Sequence, residues 1–92
     1  MICDDCPFNI VAIKYLLNQF NLAADFCSNG KEAKQMVQKR LEMGQPGYKL
    51  ILMDFSMPQM DGPTCCLQVK ELLTERGFGK GELPFICILT AY

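Results

Sequence analysis

Apolar positions in this chain follow two alternating patterns, one with helical spacing and one in short continuous runs. Helical spacing predicts three helices, which run from Phe8 to about Phe20, from Lys31 to about Met43 and from Pro63 to about Arg76. Short apolar runs predict strands at Met1–Cys3, Leu22–Cys27, Tyr48–Met53 and Pro84–Thr90. Strands that alternate with helices of about 13 residues predict successive βαβ units and a parallel sheet.

Each predicted helix has one apolar face, which we expect to be buried against that sheet. The expected buried positions are Ile10, Ile13, Leu17 and Phe20, then Ala33, Met36, Val37 and Leu41, then Cys66, Val69 and Leu73. Arg40 falls within the second stripe, where we expect its stem to be buried and its charge to reach solvent. Right-handed crossovers would place helices on both faces of the sheet, so the sequence predicts a doubly wound α/β fold.

Acidic residues follow two of the predicted strands. The Tyr48–Met53 run is typical of a strand buried on both faces, and Asp54 comes directly after it. Asp4 and Asp5 follow the first, short strand. Open α/β sheets bind ligands at the carboxyl ends of their strands, so we expect the three carboxylates to converge there. Carboxylates so near to one another favour the binding of a hard cation such as Mg2+. Asp4 and Asp5 could instead cap the helix that follows them.

Asp54 and the last strand could together handle a phosphoryl group. An aspartate can act as a nucleophile toward phosphorus, and such a transfer depends mainly on positioning and charge neutralisation. Thr90 offers a hydroxyl at the end of the last predicted strand, and Ala91 offers a backbone N–H. A threonine in that place could also be present only because it favours β structure.

Composition limits the classes of protein to which the chain could belong. A chain of 92 residues makes one small domain, and its net charge of −1 gives no basic surface for nucleic acid or an anionic membrane. No apolar run approaches the roughly 18 residues of a membrane span, and the start does not have the pattern of a signal peptide. The six cysteines could form disulfides, Cys3 and Cys6 could bind zinc, or either set could do redox chemistry. The chain has no histidine, and most of the cysteines lie in predicted helices or strands. We therefore expect the cysteines to serve as small apolar residues, and the protein to lie in a reducing cytoplasm.

Four segments follow one another in a distinctive order: Asp4-Asp5-Cys6-Pro7-Phe8-Asn9, Asn29-Gly30-Lys31-Glu32-Ala33, Asp54 with Met57-Pro58 and Met60-Asp61-Gly62, and Leu89-Thr90-Ala91. Together they resemble response-regulator receiver domains, and in combination they are most similar to the receivers of hybrid histidine kinases. The resemblance covers nearly the whole chain.

The resemblance implies a role for each matching residue in a two-component phosphorelay. Asp54 would accept a phosphoryl group from a histidine kinase or a histidine phosphotransfer domain, without turning over any other substrate. Asp4, Asp5, Asp54 and the backbone carbonyl of Ser56 would hold Mg2+, with Asp5 as a direct ligand. Thr90 and the Ala91 amide would bind the phosphoryl group. The domain would be cytoplasmic, on its own or within a membrane-anchored hybrid kinase.

The chain also departs from the family pattern. Cys6 replaces a frequent asparagine, the first strand is short, and the family continues past the threonine strand with a helix, a fifth strand followed by a lysine, and a last helix. The resulting expectation is one truncated receiver domain over residues 1–92, with a flavodoxin-like parallel sheet that lacks the fifth strand and the last two helices. The alternative is a non-phosphorylated, receiver-like interaction module or inactive fragment, which would use its exposed sheet edge to bind a partner. Self-association through that edge is also expected of a truncated chain. A flavodoxin-like enzyme or redox protein is disfavoured, because the sequence has no Gly-rich phosphate loop and no Ser nucleophile motif.

Overall fold

A computed structural model describes residues 1–90 and confirms the alternation of strands and helices in that part of the chain. The three α helices begin and end within one or two residues of the predicted bounds, whereas the strands are shorter than predicted. The elements are β1 (Ile2–Cys3), α1 (Pro7–Gln19), β2 (Phe26–Cys27), α2 (Gly30–Glu42), β3 (Leu50–Asp54), α3 (Gly62–Glu75) and β4 (Phe85–Leu89), with a short 3-10 turn at Lys80–Glu82.

The strands form one parallel sheet in the order β2-β1-β3-β4. The chain moves one way across the sheet from β1 to β2 and the opposite way from β2 to β3 and from β3 to β4. Because parallel crossovers are right-handed, α1 lies on one face of the sheet, and α2 and α3 lie on the other. The doubly wound, flavodoxin-like fold is therefore as predicted.

The hydrophobic core lies between the sheet and helices α2 and α3. Ile51 and Met53 of β3 are 0% exposed on this face. Opposite them lie Ala33, Val37, Cys65, Val69 and Leu73. Cys65 is buried and Cys66 is only half-buried, which corrects the expectation that Cys66 would face the core. A cysteine in this position packs as a small apolar residue.

The opposite face of the sheet is only partly covered, and two sequence-based expectations are wrong there. No residue of α1 is fully buried, and Phe20, which we expected to be buried, is 72% exposed. Leu50 of β3 is 47% exposed, so β3 is not buried on both faces as predicted. The reason is that α1 is the one α helix on this face within residues 1–90.

Short polar side chains and left-handed residues set the ends of the helices. The Asn29 side chain accepts the backbone N–H of Glu32 at 2.8 Å and so caps the start of α2. Asn21 adopts a φ of 55° just after α1, the left-handed conformation that asparagine often takes at the end of a helix. These signals lie within the sequence itself, which explains why the helix bounds were predictable.

An ion pair fixes the amino-terminal edge of the sheet, far from the strand ends that carry the acidic residues. Arg40 donates to Asp25 at 3.0 Å and to the Pro46 carbonyl at 2.7 Å, and its guanidinium lies 4.1 Å from the centre of the Tyr48 ring. Tyr48 also donates its hydroxyl hydrogen to Asp25. The Arg40 side chain is 30% exposed, so its charge stays at the surface as expected. In addition, it joins the loop before β2, the end of α2 and the segment before β3, which the sequence did not reveal.

Candidate functional site

Three carboxylates meet at the carboxyl ends of two neighbouring strands. Residues Cys3 and Met53 are partners in the β1–β3 ladder, so the acids that follow them lie side by side. One oxygen each of Asp4, Asp5 and Asp54 lies within 4.8 Å of the other two. The structure thus brings together the three acidic residues that the strand pattern singled out.

Asp4 is held in place by the start of helix α1. Its Oδ1 accepts the backbone N–H of Cys6 at 2.9 Å, and its Oδ2 accepts the Asn9 amide at 3.2 Å. The sequence left open whether Asp4 caps this helix or belongs to a site. It does stabilise the turn into α1, and it belongs to the acidic cluster as well. Asp5 belongs to the same cluster and is exposed to solvent.

The surroundings of Asp54 disfavour the ionised form of its side chain. Burial raises its pKa above the usual range for an aspartate, and the charges of Asp4 and Asp5 raise it further. The backbone N–H groups of Phe55 and Ser56 oppose this by lowering the pKa of Asp54. The net shift is upward, so the cluster is short of positive charge.

The loop after Asp54 is anchored by close backbone approaches that the sequence did not reveal. The Phe55 N–H donates to the Leu89 carbonyl at 2.8 Å, and the Phe55 carbonyl accepts the Gly62 N–H at 2.9 Å. A Cβ on Gly62 would lie 2.5 Å from the Asp54 carbonyl oxygen, so a side chain at this position would displace the Asp54 backbone. The Asp61-Gly62 pair signals a turn in the sequence, but the packing of Gly62 on Asp54 is visible only in three dimensions.

The remaining residues implicated by the sequence lie near the cluster or outside the described part of the chain. Ser56 is exposed in the loop two residues after Asp54. Thr90 is exposed and follows Leu89, which pairs with Asp54 in the β3–β4 ladder. Ala91 lies outside the described residues. The roles of Ser56, Thr90 and Ala91 therefore stay predictions.

The cluster suits a hard divalent cation. Carboxylate oxygens are the ligands that Mg2+ prefers, and a cation would offset the repulsion that raises the pKa of Asp54. Cysteines do not form such a group within residues 1–90: the Cys3 thiol is 1% exposed and contacts the Met57 sulfur at 3.3 Å. The arrangement of Cys3 is that of a packed core residue rather than a zinc ligand.

Sequence comparison assigns the chain to a family. The sequence profile of the response regulator receiver domain matches residues 1–91. The chain belongs to the response regulator receiver domain family. A receiver domain is a signalling domain, and the resemblance seen in the sequence motifs is thereby confirmed.

Relatives of this receiver domain include large histidine kinases. It is 39% identical over 62 residues to a probable histidine kinase 1 of Oryza sativa subsp. indica, which is 67% of this chain and 6% of the kinase. It is 30% identical over 88 residues to hybrid signal transduction histidine kinase M of Dictyostelium discoideum, which is 96% of this chain and 3% of the kinase. A third relative is the histidine-protein kinase BarA of Shigella flexneri, at 33% identity over 83% of this chain and 8% of the kinase. The chain thus spans less than a tenth of these relatives.

Solved structures show the same fold. The receiver domain of the histidine kinase CKI1 from Arabidopsis thaliana, complexed with Mg2+ and BeF3-, superposes with a TM-score of 0.81 at 22% identity. The match covers 99% of this chain and 64% of that one. The same CKI1 domain complexed with Mg2+ alone gives a TM-score of 0.73 at 23% identity. In residues 1–90 of the present receiver domain, every helix is too short or too polar to cross a bilayer.

Proposed function

We propose that this receiver domain is a phosphoacceptor module of a two-component phosphorelay, with Asp54 as the phosphorylated residue. The observation that carries the proposal is the convergence of Asp4, Asp5 and Asp54 at the carboxyl end of β3. The donor would be a phosphohistidine of a histidine kinase or of a phosphotransfer domain, the class of protein to which the relatives belong. The chain would act as a single receiver unit within such a system.

Each residue of the cluster has a distinct part in the proposed transfer. An Asp54 oxygen attacks phosphorus and forms an O–P bond while the P–N bond to the donor imidazole breaks. The leaving nitrogen keeps the electron pair and takes a proton from water. Asp4, oriented by Cys6 and Asn9, and the exposed Asp5 would hold Mg2+ together with Asp54 and the Ser56 carbonyl. When bound, Mg2+ supplies positive charge that neutralises the carboxylates and the phosphoryl oxygens.

Thr90 and Ala91 would bind the oxygens of the phosphoryl group on Asp54. The β3–β4 ladder aligns Leu89 with Asp54, so Thr90, the next residue, follows the strand end that lies beside the acidic cluster. The Thr90 hydroxyl and the Ala91 backbone N–H would donate to phosphoryl oxygens, which carry the developing charge.

Phosphorylation from a small donor tests the proposal directly. The folded chain, incubated with acetyl phosphate and MgCl2, should gain the mass of one phosphoryl group in intact-protein mass spectrometry. The added mass should disappear with EDTA, after hydroxylamine treatment, which cleaves acyl phosphates, and in Asp54→Asn. Asp61→Asn is the matched control, because Asp61 is an exposed aspartate outside the cluster, in the loop before α3. Asp61→Asn should still be phosphorylated.

The alternative, a non-phosphorylated interaction module, predicts the opposite outcome. A folded wild-type chain that takes up no phosphoryl group in the presence of MgCl2 would refute the phosphoacceptor proposal. Circular dichroism on the same sample shows whether the chain is folded. Labelling that persists in Asp54→Asn would move the acceptor to another residue.

A further inference from the structure

The start of helix α2 lies against the loop that follows Asp54. Gly30, the first residue of α2, is buried there. A Cβ on Gly30 would lie 2.6 Å from the backbone oxygen of Met60 and 2.9 Å from the Met60 Cβ, whereas ordinary contact begins at 3.4 Å. The backbone of Gly30 is helical, so a glycine is needed here for space rather than for a left-handed conformation.

The start of α2 is held in place by its other neighbours. The Asn29 carbonyl oxygen lies 3.3 Å from the Cys3 sulfur of β1, and the Gly30 carbonyl accepts the Cys65 thiol of α3 at 3.2 Å. A Cβ on Gly30 would also lie 3.1 Å from the Cys65 Cβ, so the helix has little room to move toward α3. A side chain at position 30 would therefore displace the loop rather than the helix.

The loop of residues 55–61 has little freedom to absorb such a displacement. Met57 fixes its first half in the hydrophobic core. Gln59 adopts a left-handed φ of 68°, and the Met60 N–H donates to the Pro58 carbonyl at 2.8 Å, which closes a tight turn. A shift of Met60 would therefore be passed along the backbone to the ends of the loop.

Both ends of the loop belong to the Asp54 site. The Gly62 N–H, two residues after Met60, donates to the Phe55 carbonyl at 2.9 Å. The backbone N–H groups of Phe55 and Ser56 lower the pKa of Asp54, so they lie close to its carboxylate. A displaced loop would move these donors and, with them, the Ser56 carbonyl.

We propose that Gly30 is a positioning residue for the Asp54 site, because its lack of a side chain lets Met60 pack against α2 and so holds the loop in place. Gly30 would act through the backbone of residues 55–62 and offers no side chain to a ligand. The inference rests on the proposed function, since it assigns this contact a purpose in the chemistry of that site. A purely structural role would change the stability of the fold and leave the site itself unaltered.

Amide chemical shifts of the metal-free chain test whether the displacement reaches the site. Gly30→Ala should shift the amide resonances of Phe55 and Ser56 in two-dimensional NMR spectra. Val37→Ala is the matched control, because it removes buried volume from the same helix, and it should leave both resonances unchanged. Shifts confined to the two helices α2 and α3 would overturn the proposal, whether or not the chain binds a metal or is phosphorylated.

Metal affinity gives a second readout that does not depend on phosphorylation. Mn2+ is a hard cation that binds oxygen ligands as Mg2+ does, and EPR measures the free ion during a titration. Gly30→Ala should raise the Kd of Mn2+ roughly tenfold, as expected when groups that orient ligands are disturbed, and Val37→Ala should change it by less than about twofold. A wild-type Kd in folded Gly30→Ala would refute the positioning role. A wild-type chain that binds no Mn2+ would refute the metal site of the proposed function instead, and the amide resonances would still decide the role of Gly30.

A variant on the loop side keeps the proposal testable if circular dichroism shows Gly30→Ala to be unfolded. Met60→Gly removes the Cβ nearest to Gly30 without adding an atom, so the loop loses its contact with α2. It should shift the same two amide resonances and raise the Kd of Mn2+. Where both variants fold, their effects on Kd should not add in the double variant, because both act on one contact. Unchanged resonances in Met60→Gly, or additive effects, would overturn the proposal.

Discussion

Replacing Asp54 by asparagine should stabilise the fold when no divalent cation is present. The change removes one charge from a cluster in which three carboxylates place oxygens within 4.8 Å of one another. The side chain keeps nearly the same size and can still accept hydrogen bonds. The expected effect is therefore the relief of repulsion between Asp54 and its two neighbours.

The size of the effect follows from the separation of the charges. At 4.8 Å, one pair of unit charges interacts by about 0.9 kcal/mol in bulk water and about 3.5 kcal/mol at an effective dielectric constant of about 20. Asp5 is exposed, so the low end applies, and two such pairs at this separation give about 2 kcal/mol. For a domain of this length, a free-energy change of about 1 kcal/mol shifts Tm by roughly 4–8 °C.

Thermal unfolding followed by circular dichroism measures this shift, first in EDTA and then in MgCl2. In EDTA, Asp54→Asn should have the higher Tm. At a Mg2+ concentration ten times Kd, binding stabilises the wild type by about 1.4 kcal/mol, so the difference should shrink or reverse. NaCl at equal ionic strength controls for screening.

Glu71→Gln provides the matched charge control. Glu71 is an exposed acid on α3 outside the cluster, so its replacement makes the same change in net charge and should alter the free energy of unfolding by less than about 0.5 kcal/mol. The reasoning fails if Asp54→Asn is no more stable than the wild type in EDTA, or if Glu71→Gln is stabilised equally.

Two further predictions concern the edges of the sheet. Hydrogen bonds from Tyr48 and Arg40 lower the pKa of Asp25 in the folded chain. This carboxylate therefore stabilises the fold at pH values above its pKa in the unfolded chain, and the contribution is lost as the pH falls through the lower pKa of the folded chain. Asp25→Asn should reduce the free energy of unfolding by about 1 kcal/mol at pH 7 and by less at pH 3, as measured by urea titration. An equal loss at the two pH values would contradict this. Gly62→Ala should lower both stability and the rate of phosphorylation, because its Cβ would lie 2.5 Å from the Asp54 carbonyl, whereas Gly47→Ala, with open space around it, should do neither. A Gly62→Ala chain with wild-type rate and Tm would show that the loop shifts freely.

Local signals explain why the helices and the acidic cluster were predictable from the sequence. Asn29 as a cap, Asn21 as a left-handed stop and Pro7 in the first turn of α1 act through neighbours within a few residues. The convergence of Asp4 and Asp54 needs only the rule that parallel strands end on the same edge of a sheet. These inferences depend on chain geometry rather than on packing.

Features that depend on packing between distant elements were not predictable. The prediction that Phe20 is buried was wrong, because helical spacing tells which residues share a face of the helix but not whether another layer of the fold covers that face. The exposure of Leu50 has the same cause. Helical spacing also did not reveal the partners of Arg40, because Asp25 and Tyr48 come from two other segments of the chain. The packing of Gly62 on Asp54 is likewise a matter of atomic distance, which a turn motif does not specify.

The two hydrogen bonds to Asp4 have a consequence for the entropy cost of binding a cation. Both oxygens of this carboxylate are already fixed by Cys6 and Asn9, so Asp4 would not lose side-chain rotational freedom when a ligand arrives. Exposed Asp5 would supply the ligand that can adjust its position. Because the bonds to Asp4 come from the first residues of α1, any change in its charge would also be transmitted to the start of that helix.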